Sequence, residues 1–163
     1  MKKLVVLLLV VCAFNSHAQK SKNSPAEFIV HMADSRLACK DAGRYAASLG
    51  TSDEIRNYGN QLMKDEESLY AKITDLARSK GITLPNAISE KKAVALAELS
   101  KLTGKPFDRK FIKVMKENLK YDVRSFKKAA KSSDRATADF ASRYLPMIER
   151  HLESVKRLKV KKK

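Results

Sequence analysis

The chain has 163 residues, 34 of them basic and 18 acidic, for a net charge of +16. That surplus draws a protein to polyanions such as nucleic acid, acidic glycans, lipopolysaccharide or an anionic membrane surface, but it sets a tendency to associate and not a specificity. No glycine-rich phosphate loop, nucleophile elbow or zinc cluster occurs, and no Ser-His-Asp arrangement can be assembled, so the common motif-bearing enzyme classes are excluded.

The first eighteen residues, MKKLVVLLLVVCAFNSHA, read as a secretory signal peptide. Lys2 and Lys3 form a positive start, Leu4 to Phe14 an apolar run, and Ser16-His17-Ala18 a small-x-small cleavage site. The run is shorter than the ~20 residues a membrane helix needs. Cys12 raises the alternative of a lipid-acceptor cysteine, but Val11 is bulkier than the small residue usual before one. Cleavage after Ala18 leaves 32 basic against 18 acidic residues, a net of +14, with no further segment apolar enough to cross a bilayer. The expected location is the periplasm or the medium. Cys39 then stands alone, so the domain must be held by its core without an internal disulfide, and Cys39 is expected as a small buried hydrophobe.

From Ser24 onward the apolar spacing is helical throughout. Ser24, Pro25 and Glu27 make a capping box with proline at the first helical position, opening a helix from Pro25 to about Leu49 that Gly50 ends. Thr51 and Glu54 predict a second capping box and a long helix to about Lys80, with Gly81 closing it. Pro85 marks the connector 82–88, and Ser89 caps a shorter helix ending before Gly104. A fourth helix is expected over about Asp108 to Lys131, a turn at Ser132-Ser133, and a fifth from near Asp134 to about Leu158. Residues 19–158 thus read as one all-α, up-and-down four-helix bundle with a short extra helix between the second and third long ones, and residues 159–163 as a basic tail.

Each long helix carries a stripe stepping by three and four: Phe28, Met32, Cys39, Ala42, Ala46 and Leu49; Ile55, Gly59, Leu62, Leu69, Ile73 and Leu76; Phe111, Met115, Leu119 and Phe126; Phe140, Tyr144, Ile148, Leu152 and Val155. Three polar residues fall on or beside these lines. Glu66 interrupts the second stripe, Asn118 and Asp122 edge the third, and His151 sits between Ile148 and Val155. Glu66, Asp122 and His151 are therefore expected to approach inside the bundle, with either acid holding the imidazole. Such a site in a di-iron bundle needs Glu-x-x-His pairs, and the chain has none. Pro146 cannot donate to the Ser142 carbonyl and predicts a bend in the last helix.

The order of short motifs resembles a family of exported bacterial proteins of unknown function, often labelled "predicted outer membrane protein" and thought to have a ferritin-like four-helix fold. The matching pieces are Met63-Lys64-Asp65-Glu66-Glu67, Gly81 to Pro85, Leu102 to Asp108, Phe111 to Phe126, and Leu145-Pro146 followed by His151-Leu152. The resemblance implies a Gram-negative envelope setting. It also implies an Asp-His pair on each of two helices and a histidine after the Leu-Pro. Here Glu66-Glu67 and Asn118-Leu119 stand at the pairs and only His151 remains.

Two functional expectations follow. The first is a non-enzymatic envelope protein without a cofactor, which acts structurally or binds an anionic polymer or membrane surface, and nucleic acid non-specifically in vitro. Its contacts would be Lys156, Arg157, Lys159, Lys161, Lys162 and Lys163, helped by Lys127, Lys128 and Lys131; six of the last eight residues are basic. The alternative is a metal-binding ferritin-like protein with a degenerate site of Glu66, Glu67, Asp122 and His151.

Overall fold

A computed structural model describes residues 24–160. The segment read as a signal peptide and Lys161 to Lys163 lie outside the described residues. Five helices follow one another: α1 (Pro25–Leu49), α2 (Asp53–Ser79), α3 (Glu90–Ser100), α4 (Gly104–Ala129) and α5 (Arg135–Arg157). The fold is an all-α bundle, with no strand among the described residues.

Local chemistry sets most of the boundaries. Ser24 accepts from the Glu27 amide while Glu27 reaches back to the Ser24 amide, so the capping box at α1 is formed. At α2 the cap is Ser52 and not Thr51. Thr51 is diverted by the buried carboxylate of Asp108, to which both its amide, at 3.2 Å, and its hydroxyl donate. That bond ties the α1–α2 turn to the first turns of α4. Helix α4 starts at Gly104, four residues ahead of Asp108. Pro106 does not prevent this, because a proline in the first helical turn lacks only an N–H that would have no intrahelical partner. Past α2, the Gly81 amide donates to the Arg78 carbonyl and the Ile82 amide to the Ala77 carbonyl, with Gly81 at φ 63°. This is a Schellman ending, in which glycine takes the left-handed turn without a Cβ clash.

Residue pairs across the bundle fix its topology. Helices α1 and α2 form one antiparallel hairpin and α4 and α5 another. Across the hairpins, Phe28 meets Phe126, Ser35 meets Asp122 and Asn118 meets Cys39, so α1 and α4 are antiparallel. Tyr58 reaches His151 and Lys80 reaches Asp134, so α2 and α5 are antiparallel as well. The directions therefore run up, down, down, up. Helices α2 and α4 point the same way, and the connection 80–103 must return along the long axis carrying α3, which packs on α1 and α4.

The expected stripes, joined by Phe107, supply most of the core. Met32, Ala46, Ile55, Leu62, Phe107, Phe111, Leu119, Phe126, Ile148 and Val155 are fully buried, while Phe28, Leu49, Leu76, Phe140 and Tyr144 pack at its edge. Helices α1 and α2 come closest at Gly43 and Gly59: a Cβ on Gly59 would lie 2.6 Å from the Gly43 carbonyl oxygen and 2.5 Å from the Ala47 nitrogen. Helix α5 continues through Pro146, which faces solvent.

Candidate functional site

Arg36 is among the fully buried polar residues inside the bundle. Its Nη1 donates to Glu66 Oε1 at 3.0 Å, and its Nη2 donates to Asp122 and, at 3.2 Å, to the Ser35 hydroxyl. Ser35 itself donates to Asp122 at 3.1 Å. Asn118 lies over this network, its amide 3.2 Å from Ser35 Oγ and 3.0 Å from Cys39 Sγ. Arg36, Glu66 and Asp122 are all completely buried, so three helices each contribute one charge to a sealed cluster. Burial pushes the Glu66 carboxyl up to about 7 and Arg36 opposes that rise. Burial likewise pushes the Cys39 thiol up to about 11, which leaves it a protonated, inert hydrophobe.

Sequence inspection passes over Arg36, although the signal is present. Arg36 follows Met32 by four and precedes Cys39 by three, so it interrupts the α1 stripe in the way Glu66 interrupts that of α2.

The structure brings Glu66 and Asp122 together, but through Arg36, and it corrects the expected partner of His151. The imidazole Nε2 lies 3.1 Å from Asp65 Oδ2, on the outer side of α2, and not at Glu66 or Asp122. The His151 carbonyl accepts from the Tyr58 hydroxyl at 3.3 Å, and the two rings meet edge to face. Burial lowers the His151 pKa, with Asp65 opposing and Arg36 reinforcing, so the ring is held neutral. Glu67 turns to solvent and pairs with Lys40 at 3.3 Å. The four residues of the metal alternative thus occupy three separate environments. Between Glu66 and Asp122, the guanidinium already supplies the positive charge that two buried carboxylates require. Among the described residues no group of three or more His, Cys, Asp or Glu side chains converges as a metal site.

The basic residues are arranged differently from the sequence expectation. Lys127, Lys128 and Lys131 lie at or just past the end of α4, whereas Lys156, Arg157 and Lys159 lie at or just past the end of the antiparallel α5, so the two groups lie toward opposite ends of the bundle. What joins them is the outer face of α4. Arg109, Lys113, Lys116, Lys120, Arg124, Lys127 and Lys131 step by four, three, four, four, three and four, and every one is exposed. This line of cations is roughly 33 Å long at the ~1.5 Å rise of a helix. Two acids temper it: Glu149 pairs with Lys127 at 2.9 Å, and Glu117 stands beside Lys113 and Lys120. At its Arg109 end, α4 and the segment after α5 frame an open groove of about 460 Å³, with Ile112, Leu158 and Val160 among its walls. The stripe was readable from the spacing of lysine and arginine alone, by the same three-and-four count used for apolar residues.

No helix of the described residues is long and apolar enough to cross a membrane. No curated protein and no solved structure matches the chain. A match to the domain of unknown function DUF4142 extends over residues 12–158, nearly the whole chain, and the protein therefore belongs to that family.

Proposed function

We propose that the protein is an exported, non-enzymatic component of the bacterial envelope whose basic helical face holds an anionic partner. The observation that carries this reading is the line of seven exposed cations, six on α4 and Lys131 in the turn that follows it. The amphipathic period accounts for polar residues at this spacing but not for a positive charge at all seven positions, of which only Lys127 has an ion pair described. A polyanion laid along α4 would meet successive cations, and binding would release its condensed counterions. The signal-like start of the chain supports export.

The test uses heparin and a DNA duplex as probe polyanions. Wild-type protein should bind both at low salt, with affinity falling steeply as salt rises. The variant Lys113→Gln/Lys116→Gln/Lys120→Gln should bind more weakly and, on DNA, reduce the log–log salt slope by roughly 2–3. Binding at low salt that is absent, or that ignores these three substitutions, overturns the proposal.

A further inference from the structure

We infer that the Arg109 end of α4 docks on the surface of an anionic phospholipid bilayer, with the groove beside the C-terminal segment taking a lipid headgroup and the first carbons below it. This deepens the polyanion reading and rests on it. A soluble polyanion requires only the charges. The Arg109 end is different. Arg109, Lys113, Lys116 and Lys120, four cations against the single acid Glu117, rim a groove whose other walls are three half-buried aliphatic side chains, Ile112, Leu158 and Val160. Cations over an apolar floor fit a molecule that is anionic at its tip and hydrocarbon behind it.

One further observation favours a bilayer over a free anion. On the other flank of the stripe Tyr121 leaves 48% of its surface exposed, with the Arg124 guanidinium 5.9 Å from its ring centre. A phenol with an apolar body and a polar tip is suited to the headgroup layer. With no membrane-crossing helix described, such contact is peripheral and electrostatic, and it weakens within a Debye length of about 8–10 Å at ordinary salt.

Co-sedimentation with vesicles tests this, using phosphatidylcholine alone and an equimolar phosphatidylcholine–phosphatidylglycerol mixture, with heparin retention in parallel. Wild-type protein should ignore the neutral vesicles and bind the anionic ones. Lys116→Gln/Lys120→Gln should weaken vesicle binding by roughly fivefold per charge and weaken heparin binding too. Val160→Asn is the decisive variant. Val160 lies past the end of α5 and outside the core, so the variant should melt like wild type. It should lose anionic-vesicle binding several-fold while keeping heparin binding intact. Unaltered vesicle binding by Val160→Asn, or heparin binding by a wild type that ignores anionic vesicles, overturns the lipid inference and leaves the polyanion reading standing. A wild type that binds neither overturns both.

Discussion

His151 shows how much a single residue's neighbours decide. Its position among apolar residues is legible in the sequence, and its burial follows from that position. Its partner is not legible, because Asp65 and Glu66 are consecutive and a turn of about 100° separates the acid that faces Arg36 from the acid that meets the imidazole. Since burial lowers its pKa, the folded state binds the His151 proton less readily than the unfolded chain does. The stability it contributes is complete above the ordinary histidine pKa of 6.5 and declines as pH falls below that value. His151→Gln removes the titration. The margin in melting temperature between wild type and this variant should therefore be widest near pH 8 and narrow toward pH 5. A margin that widens on acidification would show instead that Asp65 holds a protonated imidazole.

At the scale of the helices, caps and glycines account for most of what was readable and for most of what was missed. The boundaries of α1 and α5 follow from local signals, Ser24 with Glu27 at one and Asp134 accepting from the Thr137 amide at the other. The start of α2 did not, because Thr51 is claimed by Asp108, a residue 57 positions away that no local pattern reveals. Gly50 likewise ends α1 for a reason other than a left-handed turn. Its backbone is extended, and a Cβ there would stand 2.6 Å from the Ala46 carbonyl oxygen and 2.7 Å from Ile55 Cγ2. Gly59 also owes its place to space, being pressed against the α1 backbone. Alanine is the better helix former by up to ~1 kcal/mol, but at Gly59 its methyl would drive α1 and α2 apart. Gly59→Ala should thus destabilise by about 1–3 kcal/mol in urea unfolding. A stabilised variant would mean the helix pair separates without cost.

The whole molecule is two hairpins joined by an apolar core and a series of polar contacts, and Arg36 bridges them: it pairs with Glu66 in its own hairpin and with Asp122 in the other. Removing it strands two buried carboxylates. Arg36→Met should cost about 3–5 kcal/mol by thermal or urea unfolding. Adding Glu66→Gln and Asp122→Asn to it should restore more than half of that, because the orphaned charges are gone. A single variant within 1 kcal/mol of wild type would show that water or the unfolded chain compensates. The bundle class was legible from the stripes, but the order of helix directions was not, since pairing between α1 and α4 leaves no local trace. That order has a kinetic consequence. Each hairpin is closed by a short turn and made of near-neighbour contacts, so each can collapse early and alone. The docking of one on the other must wait until the 80–103 segment has doubled back along the full length of α2, a loop closure whose entropy is lost before any inter-hairpin contact forms. The meeting of the two halves is therefore the step expected to limit folding, and Asp122→Asn should then speed unfolding more than it slows refolding in stopped-flow measurements.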